Sequence, residues 1–472
     1  MKDKKRMNFV QFLRQFTTSV SHGIKNLLRR QLIFATLLVV FLLIIHAILT
    51  LAASIKLSLA LHNVRAQHIP LTAAEIRRPT ISDQENAAIY YQRAYSVLEL
   101  DPNFQKYNEK GNWYATLEER KYTEVLPAPA ATEKIIALIK EGASKTICNF
   151  SLNYEAGFNM SHQHQIIIDK LSRLLMANAM QESSEGRREE AFEMILLGLK
   201  MANHLGQEPE QGCQLTRLSC TFYLMRVFQK IFDEQCIPYK QTVLMLSEMK
   251  KFNRTQFECF DTTRITFVWL FQSLIAHKIY PDPTLSMPES FSWEKPKGFS
   301  QHFLLYLCKP LIKNDFSTYL VRFPVVEKLY GAPYYQVSDQ LSWDSEHFWC
   351  SYVGQDEKLK KKSKLYFFTS WYLSNSINGL ERFSMGSANI DFCLIGIALK
   401  TYQAKHGFFP NSLSELVPEI IPAVPIDLFT GKPAYYLKTK NGFTLSFIRW
   451  ENQDEKISIT KGISFYPPIW NE

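Results

Sequence analysis

The longest apolar segment of the chain runs from Leu32 to Ile55, with Thr36, His46, Thr50 and Ser54 as its polar members and no charge inside it. At about 1.5 Å per residue, positions 32 to 55 make a helix about 36 Å long, enough to cross a hydrocarbon core of about 30 Å with some tilt. Residues 31–55 are therefore expected to form a transmembrane anchor. Before it, Phe9, Leu13, Phe16, Val20, Ile24 and Leu27 recur every three or four residues with Lys and Arg between them. Two readings of this segment stand: a basic amphipathic helix on the inner leaflet, touching anionic lipid, or a topogenic charge cluster. Ser58-Leu59-Ala60 has the small-x-small form of a signal peptidase site, but the apolar run is longer than a signal peptide's.

Past the anchor, helical spacing dominates to about residue 383. Ala87, Ala88, Tyr91, Ala94, Tyr95 and Leu98 mark a helix over 83–100, and Thr132 is positioned to cap another over 133–140. Residues 166–181 and 189–205 flank a turn containing Ser183, Ser184 and Gly186, which predicts a helical hairpin over 166–205. Its small residues Ala179, Gly186, Ala191 and Gly198 allow close helix approach. This hairpin resembles a tetratricopeptide repeat, with Gly186 and Ala191 at the turn glycine and following alanine, and Asn203 where the family closes on proline. No copies recur at a regular period, so the resemblance covers one unit and implies a helical body without a solenoid.

Further helices are expected over 214–232, 241–251 and 263–277. The apolar stretch 265–276 is too short to be a second span and reads as a core helix. From Pro281 to residue 345, prolines and aromatics predict short helices in irregular chain. Lys358, Lys360, Lys361, Lys362 and Lys364 read as a solvated loop or helix start, with an anionic-lipid or phosphate site as the alternative.

Charge alters the picture mainly by its location. Of the net +9, residues 1–30 hold Lys2, Lys4, Lys5, Arg6, Arg14, Lys25, Arg29 and Arg30 against Asp3, a net of +7, which leaves +2 for residues 31–472. The basic balance belongs to the N-terminal tail and not to a nucleic-acid face, and it places residues 1–30 in the cytoplasm by the positive-inside rule. Cys148, Cys213, Cys220, Cys236, Cys259, Cys308, Cys350 and Cys393 include no Cys-x-x-Cys pair and no zinc-ligand spacing, so no metal framework follows and disulfide pairing stays open.

Residues 384–472 carry a second pattern. An apolar helix over 390–405 with Leu399 and Tyr402 leads into Gly407, Phe409 and Pro410. Ser412-Leu413, Leu416, Pro425-Ile426-Asp427 and Gly431-Lys432-Pro433 follow. Asn441-Gly442 signals a hairpin between strands at 434–438 and 443–448. On these residues the segment resembles the periplasmic part of the major pseudopilin of type II secretion. The resemblance implies a helix packed on a small antiparallel sheet and a calcium loop after the second strand, where Glu451, Asn452, Asp454 and Glu455 stand. An exposed acidic turn is the alternative for those four residues. Leu428 replaces the family's proline, and the anchor is far removed from the module. The implication is a borrowed fold within a bacterial membrane protein, not a filament subunit.

Local motifs for catalysis are absent: the chain has no G-x-S-x-G, Walker, dinucleotide-binding or H-E-x-x-H sequence. Asp344, Glu346 and His347, among Trp343, Phe348 and Trp349, are the nearest approach to an acid/base cluster. His162 and His164 suggest a metal pair, but with Ser161 as N-cap, residues two apart on a helix point to nearly opposite faces. Asn149, Asn159 and Asn253 begin Asn-x-Ser/Thr triplets.

The expected architecture is mainly α: a cytoplasmic tail (1–30), a single transmembrane helix (31–55), an all-helical extracytoplasmic body (56–383) and a small α+β pseudopilin-like module (384–472). The expected function is that of a scaffold or interaction protein on the outer face of a bacterial inner membrane, with protein partners, no nucleic acid and no cofactor beyond calcium. The alternative is a cell-envelope hydrolase centred on residues 343–350.

Overall fold

The computed structural model describes residues 9–102, 104–105, 131–232, 237–252, 261–281, 293–294, 296, 298–329, 332–337, 367–440, 442–446 and 462–463. The chain forms two compact units, one of Met1–Asn63 with Ser273–Ser317, the other of Val64–Gln272 with Thr318–Glu472. The described elements are mostly helical.

The first unit is built on α1 (Phe9–Ala66), a helix of 58 residues that carries the apolar run 32–55 toward its C-terminal part. Every residue from Leu32 to Ile45 is exposed. The helix is long and apolar enough to cross a membrane, and none of its most apolar window is buried, so it is not the core helix of a globular fold. Its hydroxyls are satisfied internally: Thr36 Oγ1 donates to Leu32 O at 2.8 Å and Thr50 Oγ1 to His46 O at 2.7 Å. An apolar helix accommodates hydroxyls in this way where no water is at hand. Toward the C-terminal end, Ala53, Leu57 and Ala60 are buried. The same unit contains a two-stranded pairing of β1 (Tyr280–Pro281) with β2 (Trp293–Glu294).

It also contains the first part of α9 (Gly298–Leu329), a helix of 32 residues where short helices in irregular chain were expected. The prolines that suggested breaks, Pro310 and Pro324, lie inside it. A proline within a helix removes one amide donor and frees the carbonyl four residues earlier. For Pro310 that carbonyl is Tyr306 O, and His46 Nε2 of α1 lies 2.9 Å from it.

The second unit begins with two helix pairs. α2 (Ala87–Glu99) packs on α3 (Thr132–Ala143), and α4 (Gln163–Ser184) on α5 (Arg188–Leu205). The pairs stack, α2 against α4 and α3 against α5. Stacking of one pair on another goes beyond the single hairpin read from the sequence. The N-cap of α2 joins them to the chain that follows α3: Asn86 Oδ1 accepts from Ala88 N and Asn149 N, and Asn86 Nδ2 donates to Asn149 O at 2.8 Å. Asn149 is itself buried, with Nδ2 on Pro79 O, which closes that Asn-x-Ser triplet to a glycan.

The turn of the α4–α5 hairpin forms a Schellman motif. Gly186 has φ +83°, its amide bonds Ser183 O, and the Arg187 amide reaches Glu182 O at 2.8 Å. α6 (Gln211–Phe232) packs on both α4 and α5. Gly198, expected to ease the approach of α4 to α5, instead faces α6: a Cβ there would stand 2.6 Å from Leu224 Cδ2. α7 (Tyr239–Lys250) and α10 (Phe367–His406) complete the helical layer, α10 packing on both α6 and α7. An aromatic cluster of Phe267, Phe271, Tyr319, Phe323 and Tyr372 holds the C-terminal part of α9 against α10 and α8 (Asp261–Ile275).

α10 passes without interruption through the expected boundary at 383/384, and the helix expected over 390–405 is its last part. Past Gly407, β3 (Tyr435–Thr439) and β4 (Gly442–Ser446) pair antiparallel, and β5 (Gly462–Ile463) adds parallel to β4. The sheet packs on the chain that leaves α10: Phe409 meets Phe443 edge-on at 5.0 Å, and Tyr436 Oη donates to Pro410 O at 2.7 Å. Asp427 is buried and accepts from Phe429 N and Thr430 Oγ1, closing the turn that the sequence indicated.

Candidate functional site

Among the described residues, a dense set of buried ionisable groups lies around the loop from α5 to α6, Gly206-Gln207-Glu208-Pro209-Glu210. Pro209 separates two acidic residues that face different partners. Glu208 is fully buried and accepts from Phe150 N at 2.8 Å and Tyr154 Oη at 3.2 Å, with the Arg78 guanidinium at 3.2 Å. Glu210 accepts from His164 Nε2 at 2.8 Å, His162 Nδ1 at 3.0 Å, Gln165 Nε2 at 3.0 Å and Cys213 Sγ at 3.1 Å. The backbone of the loop is held as well: Thr262 N and Oγ1 both donate to Pro209 O, and Gln207 Oε1 accepts from Cys148 N.

Burial alone would raise the Glu210 carboxyl, but hydrogen bonds from His162, His164 and Cys213 outweigh it and hold the group well below the usual carboxylate range. The same carboxylate raises His162 through its hydrogen bond, against the opposing effect of partial burial. Burial first, and then Glu210, push the Cys213 thiol well above its ordinary value. That thiol is a weak nucleophile in this setting.

On the far side of Pro209 a cavity of about 580 Å³ is lined by Arg78, Gln207, Pro209, Asp261, Arg264 and Glu327, among others. Arg264 is divided among three acceptors: Glu327 Oε1 at 3.1 Å, Pro70 O at 3.1 Å and the Asp261 carboxylate. Because the cation is shared, its attraction does not offset the burial of Glu327, whose carboxyl is pushed up to about 7. A second concavity of about 490 Å³ is lined by Lys145, Lys200, Arg217, Glu248 and Lys251. Lys145 and Lys251 follow the C-terminal ends of α3 and α7, where cations complement the helix dipoles.

Among the described residues, His164, Glu210 and Cys213 are the set that could hold a metal ion, their ligand atoms lying within 4.8 Å of one another. A nitrogen, oxygen and sulfur set suits zinc. Their separations of 2.8 to 3.1 Å are those of a closed hydrogen-bond ring. Ligand atoms about 2.0–2.3 Å from a tetrahedral zinc stand about 3.3–3.8 Å apart, so the ring would have to widen to admit one. As it stands, the ring joins the start of α4 to the start of α6.

The sequence placed His162 and His164 on opposite faces, yet both reach one carboxylate. His162 precedes the first helical residue, with φ −98° and ψ 17°, so the helical periodicity does not govern it. Ser161 still contributes, its Oγ accepting from Gln163 N at 3.3 Å. Asp344, Glu346 and His347 lie outside the described residues, as do Glu451, Asn452, Asp454 and Glu455. Arg78, Glu208, Glu210, Arg264 and Glu327 are not singled out by the sequence pattern, and Cys213 enters it only as one of eight cysteines without metal-ligand spacing. The one local signal was the Glu-Pro-Glu triplet in a short loop between helical runs. Cys148, Cys213, Cys220, Cys308 and Cys393 are free thiols. No family model, curated protein or solved structure matches the chain.

Proposed function

We propose that the protein is a membrane-anchored scaffold or interaction protein, with α1 crossing a bacterial inner membrane, residues 1–30 in the cytoplasm and the helical layers outside it. The observation that carries this reading is the uncovered apolar length of α1 between Leu32 and Ile45, whose only hydroxyl is bonded to its own backbone. Water is a poor solvent for such a surface, and a hydrocarbon core is a good one. The charged tail before Arg30 supports the orientation. A scaffolding role draws support from the buried ionisable groups, since Glu208, Glu210 and Arg264 are each committed to several protein partners. In this reading the stacked helix pairs offer partner surfaces, and the C-terminal sheet, by its pseudopilin resemblance, docks to a secretion or pilus-like assembly.

The test is alkaline carbonate extraction of membranes, followed by protease treatment of spheroplasts with tags at both ends. The expected result is a protein that stays in the pellet, an N-terminal tag that is protected and a C-terminal tag that is digested. Release into the supernatant, or protection of the C-terminal tag, would overturn it. In-cell cross-linking then asks for an envelope partner that is lost on removing residues 407–472. That cut spares α10, which packs on α6 and α7.

A further inference from the structure

The apolar surface of the first unit does not end with α1. On the first part of α9, Phe299 is 83% exposed, and Phe303, Leu304, Tyr306, Leu307 and Leu311 are each at least 40% exposed. Positions 299, 303, 307 and 311 follow one another at four-residue steps, so they form a stripe along one face. A stripe of large exposed apolar side chains on a soluble surface calls for an occupant.

Three contacts set the level of this stripe against α1. His46 Nε2 meets Tyr306 O at 2.9 Å, Lys313 Nζ donates to Ser54 Oγ at 2.7 Å, and Lys56 Nζ donates to Asn314 Oδ1 at 2.7 Å. From His46 to Ser54 α1 advances about 12 Å, and from Tyr306 to Lys313 α9 advances about 10 Å, so the two helices ascend together. Lys313 and Asn314 stand level with Ser54 and Lys56, where the apolar run of α1 gives way to charge. The stripe at 299–311 therefore lies alongside the apolar part of α1, on the hydrocarbon side of that level.

The backbone supplies an independent argument. Pro310 frees Tyr306 O, which on a wet surface water would satisfy. Here the partner is an imidazole from inside the apolar run. Supply of a neighbouring side chain to a carbonyl freed by proline is what a helix in lipid needs.

We infer that residues 299–311 of α9 are embedded in the outer leaflet beside α1, with acyl chains covering the stripe, so that the protein holds the membrane by a second element in addition to its span. The inference rests on the anchor reading above. Lys56 and Lys313 mark the headgroup level, where long stems carry ammonium groups to water and phosphate.

The full chain, reconstituted in nanodiscs containing a phosphatidylcholine with a diazirine on one acyl chain, provides the test. After photolysis, lipid adducts are mapped by mass spectrometry. The expected result is adducts on peptides covering 32–55 and also on peptides covering 299–311, in comparable yield and centred on Phe299, Phe303 and Leu307. Adducts on 32–55 with none on 299–311, including the case where 299–311 cross-links to a second copy of the chain, would overturn the inference and leave the anchor standing. Adducts on neither would overturn both.

Discussion

His46 Nε2 and the carbonyl of Tyr306 lie 2.9 Å apart, and the carbonyl is the one that Pro310 deprives of its helical amide. A carbonyl can only accept, so His46 is the donor, and its Nε2 carries the proton. Replacing His46 by Leu should leave the carbonyl orphaned at a cost of about 1–3 kcal/mol. Pro310→Ala restores an amide to the helix, so His46→Leu should cost much less in that background. Thermal unfolding midpoints of the four proteins in nanodiscs complete the cycle. Equal costs of His46→Leu in both backgrounds would sever the link between the two residues.

Gly186 and Gly198 belong to one hairpin and are needed for different reasons. Gly186 has φ +83° and open space around its Cα, so Gly186→Ala should cost about 1 kcal/mol through backbone strain alone. A Cβ on Gly198 meets the buried Leu224 side chain at 2.6 Å, so Gly198→Ala must shift α6 or its side chains, at about 1–3 kcal/mol. Leu224→Ala should rescue the second variant in part and leave the first unaffected. Denaturation midpoints of the singles and doubles decide it, and rescue of Gly186→Ala by Leu224→Ala would count against the assignment.

The long apolar helix α1 and the α4–α5 hairpin were legible because each is encoded in contiguous periodicity: an unbroken apolar run in one case, and small residues at helical spacing around Gly186 in the other. α9 was misread because Pro310 and Pro324 signal breaks locally, while the long-range contacts that keep the helix whole, His46 on Tyr306 and the rings packed around Tyr319, are invisible in a window of the chain. The buried cluster was illegible for a similar reason. Arg78, His164, Glu210, Arg264 and Glu327 converge from segments far apart, and the local spacing of His162 and His164 misled because the helix begins between them. At the C-terminal end, Asp427 and the β3–β4 pairing were foreseeable from turn chemistry, whereas the passage of α10 through residue 384 was not, since Ser384, Gly386 and Ser387 look locally like a boundary although Phe383, Ser384 and Ser387 are buried in the helical layer.

Glu327 starts from an ordinary value of 4.5 and is pushed up to about 7 by burial, with Asp261 adding to the shift and Arg264 opposing it. A group raised on folding gives its full stability below the unfolded value and loses it as pH rises through the folded one. Wild type should therefore lose stability relative to Glu327→Gln between about pH 5 and about pH 8. Gln keeps an oxygen to accept from Arg264 Nε, so the variant should fold. Midpoints at both pH values read the effect, and a difference that is flat or of opposite sign would show that Glu327 stays ionised throughout.

The Glu210 ring carries two titrations of opposite sign. The carboxyl is depressed, so its contribution is present above 4.5 and is lost only as pH falls through its much lower folded value. His162 is raised, so its contribution is complete below 6.5 and is lost as pH rises through a folded value above that. Acidification from about pH 8 to about pH 6 should therefore stabilise wild type through the His162 cation while Glu210 remains charged. The gain is modest, since the His162 side chain is 57% exposed to solvent. Glu210→Gln should remove the His162 share of the gain, leaving that of Glu327, and lower stability at every pH by about 3 kcal/mol, because His164 and Cys213 lose a buried acceptor that Gln replaces only in part. His162→Gln should remove the same share of the gain while leaving stability at about pH 8 nearly unchanged. Midpoints of the three proteins across this range are the measurement. A pH response in Glu210→Gln equal to that of wild type would mean that the response originates elsewhere, and that the ring between α4 and α6 is electrically silent.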